Sequence, residues 1–353
     1  MTNQRNSGTI SRRGVLAGAA GLAGASMLMP SRPAFAQGGG RVAVGTWGGD
    51  YARFLSEFID TPFMVPQGFE IVQDQAGDPE RRAKMVAERR LPRGSIDVNA
   101  LQDSSMYQMF AQGLAEEIDY DRIPNAVNLL PNMRLPEGVA QIFSGKVVLY
   151  NPDHLEALTS YADVFTPDLG DRLGIIDIQY RHNIGVASLI AGGSVTAVEE
   201  GKKLLMELRR AGARIYPTNE AFAQGLQTEE IHGGVMWKAR SLQWQAAGIN
   251  VQAVTPSEGF IPYMSGFVVP RNAPNKDGAY AYLNAALEPQ AQLDFAKNMG
   301  YAGTVSNAPI PEDLQARVGF TDAEIAAMNP LDFGFYIEND LALKSWWDQE
   351  FKG

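Results

Sequence analysis

The chain has 353 residues, with 40 acidic and 30 basic side chains and a formal net charge of −10. That balance argues against nucleic acid or an anionic membrane surface as a partner. Cysteine is absent, which excludes disulfides, thiolate metal centres, iron–sulfur clusters and a cysteine nucleophile.

The first element is a leader. Ser11-Arg12-Arg13-Gly14-Val15-Leu16 precedes a mildly apolar run over 14–29, then Pro30 and the small-residue sequence Ala34-Phe35-Ala36 before Gln37. The arrangement reads as a twin-arginine export signal removed near Gln37. A membrane anchor is the competing reading, against which the run is short and rich in Ala and Gly rather than Leu. Cleavage removes four arginines and no acid, so the charge deepens to about −14 over about 316 residues. A chain of that length divides its core between two lobes more readily than it builds one.

Residues 41–45 read as a strand running into Thr46-Trp47-Gly48-Gly49-Asp50-Tyr51, after which Tyr51, Phe54, Leu55 and Phe58 recur at helical spacing. Glycines between a strand and a helix put free backbone N–H groups at a strand's carboxyl end, where open α/β sheets bind ligands, and they aim Trp47 into a cleft. The spacing fits neither the dinucleotide nor the lysine-containing phosphate loop. A charged helix follows over 78–90, a strand over 96–101 and a helix over 104–113 opened by Asp103 or Ser104. Further strands are expected at 147–150, at 175–178 with an end near Tyr180-Arg181, and at 233–237, 251–254 and 267–269. Helices are expected over 277–287 and 289–298, and capping boxes at Thr196–Glu199 and Thr321–Glu324 open two more. His154, His182 and His232 match no zinc-ligand spacing and read as surface or hydrogen-bonded structural residues.

The order of these motifs resembles the periplasmic substrate-binding proteins of ABC importers, in their spermidine/putrescine-binding branch. The residues that carry the resemblance are Val44–Tyr51 with Thr46-Trp47-Gly48-Gly49, Asp97-Val98, Gly113-Leu114-Ala115-Glu116-Glu117-Ile118-Asp119, Ile123-Pro124-Asn125 and Leu149-Tyr150-Asn151-Pro152. Thr159–Phe165, Val235-Met236-Trp237, Pro256-Ser257-Glu258-Gly259, Ala279–Asn284 and Gly300-Tyr301 complete it. The resemblance implies an α/β fold of the two-lobe periplasmic binding protein type, type II-like, with a ligand cleft between lobes. It implies a first lobe at 38–145 plus 266–305 and a second at 146–265 plus 306–353. A small-molecule ligand, an inner-membrane ABC permease as partner, a monomer, a periplasmic location, no cofactor and no catalysis follow from it as expectations.

Cleft residues carry over one at a time. Trp47 and Tyr51 match aromatic positions of the family, although their spacing is one residue longer here. Trp237 matches a tryptophan that packs on the ligand, and Tyr263 stands where the family has another. Ser265 stands where polyamine binders have an aspartate that pairs with an ammonium group, and the basic residues Arg181, Lys238 and Arg240 fall in aligned cleft segments. Asp103, Asp177 and Glu258 remain as acidic candidates, Glu258 within a motif that also reads as structural. Losing the aspartate while gaining the basic residues points away from a simple polyamine and towards an acidic or zwitterionic solute. Trp346 and Trp347 read as packing residues. An exported hydrolase is the alternative from another class, but no Gly-x-Ser-x-Gly elbow or His-Glu-x-x-His helix is present. Ferric-ion capture is the alternative within the binding class, although Tyr280 and Tyr282 point to different helix faces.

Overall fold

The computed structural model describes residues 39–353, so the leader falls outside the described residues. In chain order the main elements are β1 (Arg41–Thr46), α1 (Asp50–Leu55), β2 (Glu70–Gln75), α2 (Asp78–Glu88), β3 (Val98–Gln102), α3 (Asp103–Ala111), β4 (Arg134–Leu135) and β5 (Gly138–Tyr150). Next come β6 (Leu173–Ile176), α4 (Tyr180–Gly192), α5 (Val198–Arg210), β7 (Arg214–Tyr216), α6 (Asn219–Gln227), β8 (Gly233–Trp237), α7 (Lys238–Ala246), β9 (Gln252–Val254) and β10 (Pro262–Val268). The chain closes with α8 (Lys276–Ala286), α9 (Pro289–Met299), β11 (Ala302–Gly303), α10 (Glu312–Val318), α11 (Asp322–Ala326), α12 (Phe333–Glu338) and α13 (Asp340–Trp346).

These strands form two half-sheets that share β5. β1 lies parallel to β2 and β3, β3 is antiparallel to β10, and β10 is antiparallel to the first part of β5. The remainder of β5, from Lys146 to Tyr150, pairs with β8 and β9, and β8 runs parallel to β6, which runs parallel to β7. One uninterrupted strand thus passes from one half-sheet to the other between Gly145, opposite Pro262, and Lys146, opposite Trp237. Every residue of β5 is buried. A strand covered on both faces has no polar side to alternate with, which is why only its apolar end at 147–150 is visible in the sequence.

Two other expectations are corrected. The strand expected at 175–178 stops at Ile176, and a short 3₁₀ turn (Asp177–Gln179) leads into α4. Residues Asn183 to Leu189 of that helix are all buried, so it shows no amphipathic stripe. The capping box at Thr196 does not form: α5 begins at Val198 with Ala197 before it, and the Thr196 hydroxyl pairs with that of Ser194 at 3.0 Å. The second box does form, with Thr321 Oγ1 accepting from the Glu324 amide at 3.2 Å and Glu324 Oε2 accepting from the Thr321 amide at 2.7 Å.

Candidate functional site

Trp47 after β1, Asp103 after β3 and Trp237 at the end of β8 all stand near residues of β10, and most of the aromatic candidates gather there. Trp47 follows β1 and turns into α1 through Gly49, whose φ of 67° lies in the left-handed region that glycine enters without strain. The Trp47 ring meets Tyr51 edge-on at 5.1 Å. Tyr51 is buried and donates its phenol to Gln141 Oε1 at 2.8 Å, and burial pushes its pKa up, so it stays a neutral donor. Trp237 ends β8 and packs against Tyr263 at 5.2 Å and edge-on against His182 at 4.7 Å, while Tyr263 reaches Tyr301 at 6.1 Å. Ser265, Tyr51, Asp103 and Tyr301 all stand near enough to the Tyr263 phenol to act on its ionisation, which burial drives upward. Alternation along β5 puts Ser144 and Lys146 on one face, with their partners Tyr263 and Trp237 beside them.

Behind each tryptophan lies a buried cation. The Arg81 guanidinium sits 4.3 Å from the Trp47 ring, held by Asn99 Oδ1 at 3.1 Å and the Ala100 carbonyl at 2.6 Å. Lys146 Nζ sits 4.6 Å from the Trp237 ring, donating to Gln179 Oε1 and, at 3.3 Å, to the Val235 carbonyl. Arg81 is 3% exposed and Lys146 0%. Among the described residues, neither has a carboxylate within the 4.0 Å of an ion pair. Burial pulls the pKa of both downward, and it pulls that of His182 down as well, assisted by Lys146 and Arg181. The same region holds buried polar atoms with no partner in the described chain: Thr46 Oγ1, Asn99 Nδ2 and Gln141 Nε2.

The charged candidates fare differently. Burial raises the pKa of Tyr301, an effect that the nearby Arg240 charge opposes, and Arg240 bonds Gln243 at 3.0 Å and stands 3.9 Å from Glu220. Arg181 is paired with Asp340 at 2.7 Å and lines a small polar cavity with Arg82, Ser104 and Gln108. Lys238 is corrected: it is buried, donating to the Gly319 carbonyl and lying 4.6 Å from the Phe320 ring, so its charge holds the turn after α10. Asp177 also leaves the aromatic group, because its two oxygens accept from Trp347 Nε1 at 2.7 Å and Lys352 Nζ at 3.0 Å. The Asp103 carboxylate accepts from the Met264 amide at 2.8 Å and the Ser104 amide at 2.7 Å. Ser265 is 2% exposed, its hydroxyl 3.4 Å from the Leu101 carbonyl. Glu258 accepts from the Ser160 hydroxyl and the Tyr161 amide, a structural role. His154 and His232 stack with ring centres 4.0 Å apart, away from the aromatic group, whereas His182 belongs to it. The sequence reading missed Arg81, Lys146, His182 and Gln179. A lysine in the middle of an otherwise apolar strand was the available signal for Lys146.

Two half-sheets joined by the shared strand β5, with a polar aromatic site near where they meet, define a two-lobed solute-binding protein. A profile of the bacterial extracellular solute-binding protein family matches residues 59–322, and the chain belongs to that family. The spermidine/putrescine-binding periplasmic protein of Salmonella typhimurium is 26% identical over 209 residues, 55% of this chain and 59% of that protein. The alignment therefore spans under two thirds of that relative's length. Among solved structures, an ABC transporter protein from Clostridium perfringens superposes with a TM-score of 0.76 at 24% identity, covering 86% of this chain and 98% of the other. The Atu4243-GABA receptor does so with a TM-score of 0.75 at 20% identity, over 89% of this chain and 98% of its own. These likenesses establish the fold. No helix among the described residues is long and apolar enough to cross a membrane.

Proposed function

We propose that this chain is the solute-capturing component of an ABC importer, a binding protein rather than an enzyme. It is exported as a twin-arginine precursor, trimmed near Gln37, and works in the periplasm as a monomer that delivers its solute to an inner-membrane permease. Its lobes, 38–145 plus 266–305 and 146–265 plus 306–353, close on the ligand, because only the closed state offers contacts from both. The solute carries a carboxylate or phosphonate, with or without an amine.

The observation that carries the choice of solute is the pair of buried cations behind Trp47 and Trp237. A second cation stacked on the opposite face of either ring would lie about 8 Å from the first, and at an effective dielectric near 20 the two repel by about 2 kcal/mol. That offsets what the ring itself offers a cation. Ser265 supplies no charge to compensate, Asp177 is taken by Trp347 and Lys352, and Asp103 is held by backbone amides. An acid on that face is instead attracted through the Trp237 ring by the Lys146 charge, with Arg240 near Tyr301 as a further basic group. The Salmonella relative is named for polyamines and the GABA receptor neighbour for a zwitterion; the charge around these rings favours the zwitterion.

Calorimetric titration of the purified protein with putrescine, spermidine, γ-amino acids, aminophosphonates and aromatic acids tests this reading. Binding by acids or zwitterions with putrescine and spermidine inert is the expected result, and tight polyamine binding with the acids inert overturns it. Export is tested separately: replacing both Arg12 and Arg13 by Lys is expected to reduce the periplasmic protein to background, and undiminished periplasmic levels remove the twin-arginine reading.

A further inference from the structure

A second cavity lies beyond the aromatic site. It has a volume of about 400 Å³ and is walled by Met264, Pro262, Met328 and Phe333, with the carboxylates of Asp103 and Glu137 as its charged groups. Met264 stands between Tyr263 and Ser265 on β10, so strand alternation turns it to the face opposite theirs. Glu137 sits in the tight turn joining β4 to β5, yet it is only 7% exposed. Its carboxylate accepts from its own backbone amide, and no lysine, arginine or histidine among the described residues forms an ion pair with it, although a buried carboxylate is normally partnered. Burial raises its pKa, and raises that of Asp103 to about 7, with Glu137 adding to the effect on Asp103. No lysine, arginine or histidine lines the cavity.

We propose that this cavity is a second binding site, separate from the aromatic one, for a small organic cation: a primary ammonium group donating to Glu137, with an alkyl or aryl body against Met264, Met328 and Phe333. The walls come from β10 and from the segment after α11, so an occupant ties that segment to the strand that also carries Tyr263 and Ser265. An inorganic cation would leave the apolar walls without a partner. A neutral molecule would leave the Glu137 carboxylate uncompensated.

Titration calorimetry with phenethylammonium chloride, using 2-phenylethanol and calcium chloride as controls, reads the site directly. The wild-type protein is expected to bind phenethylammonium saturably and 2-phenylethanol far more weakly. Glu137→Gln, which keeps the shape of the side chain and removes its charge, is expected to weaken phenethylammonium binding at least about tenfold. Met328→Trp, which fills the cavity and leaves the charge, should abolish it and stands as the second variant if Glu137→Gln is unfolded by circular dichroism. Trp237→Ala, which alters the aromatic site alone, should leave it intact. The proposal is overturned by undetectable phenethylammonium binding, by equal binding in both cavity variants, by calcium binding in its place, or by loss of binding in Trp237→Ala, which would put the cation among the aromatic rings.

Discussion

Trp347→Ala is expected to lower the unfolding free energy by about 3–5 kcal/mol, the range for removing a fully buried large aromatic. Trp347 is 0% exposed and packs on Phe351 at 4.3 Å, on Tyr180 at 6.2 Å and on Trp346 at 6.5 Å, which fastens the C-terminal segment to the start of α4. Its indole N–H also donates to Asp177 at 2.7 Å. Trp347→Phe separates these contributions: it keeps most of the ring and removes the donor, and a hydrogen bond to a charged group accounts for about 1.5–3 kcal/mol. Denaturant titrations of both variants are the measurement. A cost under 1 kcal/mol for the alanine variant would mean that the C-terminal helix is not part of the cooperative unit.

The same contact explains where sequence reading stopped. Signals that lie close together along the chain could be read: the five residues of β8 that end on Trp237, the reciprocal bonds of Thr321 and Glu324, and the glycine turn that presents Trp47 all depend on near neighbours. Asp177 reads as a ligand residue because its partners stand 170 and 175 residues further on. Lys238 reads as a cleft residue because its acceptor is 81 residues away. A charged residue in a sequence announces a need for a partner but not where the fold supplies one. Lys146 is the opposite case. Periodicity treats a lysine in a strand as an exposed position, whereas β5 is buried along its whole length and turns that lysine inward beneath Trp237. The two-lobe fold was therefore legible from order and pattern, while the charge surrounding the aromatic rings became visible only once distant segments were brought together.

Lys146→Met should bind the acidic solute roughly thirtyfold more weakly, equivalent to losing the ~2 kcal/mol attraction that the lysine charge exerts through the Trp237 ring. Methionine preserves the length and apolar stem of the side chain, so Trp237 keeps its packing and the loss reports the ammonium. The pH dependence provides an independent check. Burial holds the folded-state pKa of Lys146 well below its ordinary 10.5, so between those two values the unfolded chain binds more protons than the folded one. Stability contributed by this group therefore rises with pH across that window. Without ligand, the wild type should gain stability relative to Lys146→Met as the pH is raised towards the ordinary lysine value of 10.5. An anion bound beside Lys146 favours its charged form, so ligand affinity should fall over the same range in the wild type and stay flat in the variant. Denaturant titration of the free proteins and calorimetry of the complexes follow the two trends. Equal affinity in wild type and variant at neutral pH would show that the ligand's acid group does not sense the Lys146 charge, and would transfer its recognition to Arg240 near Tyr301.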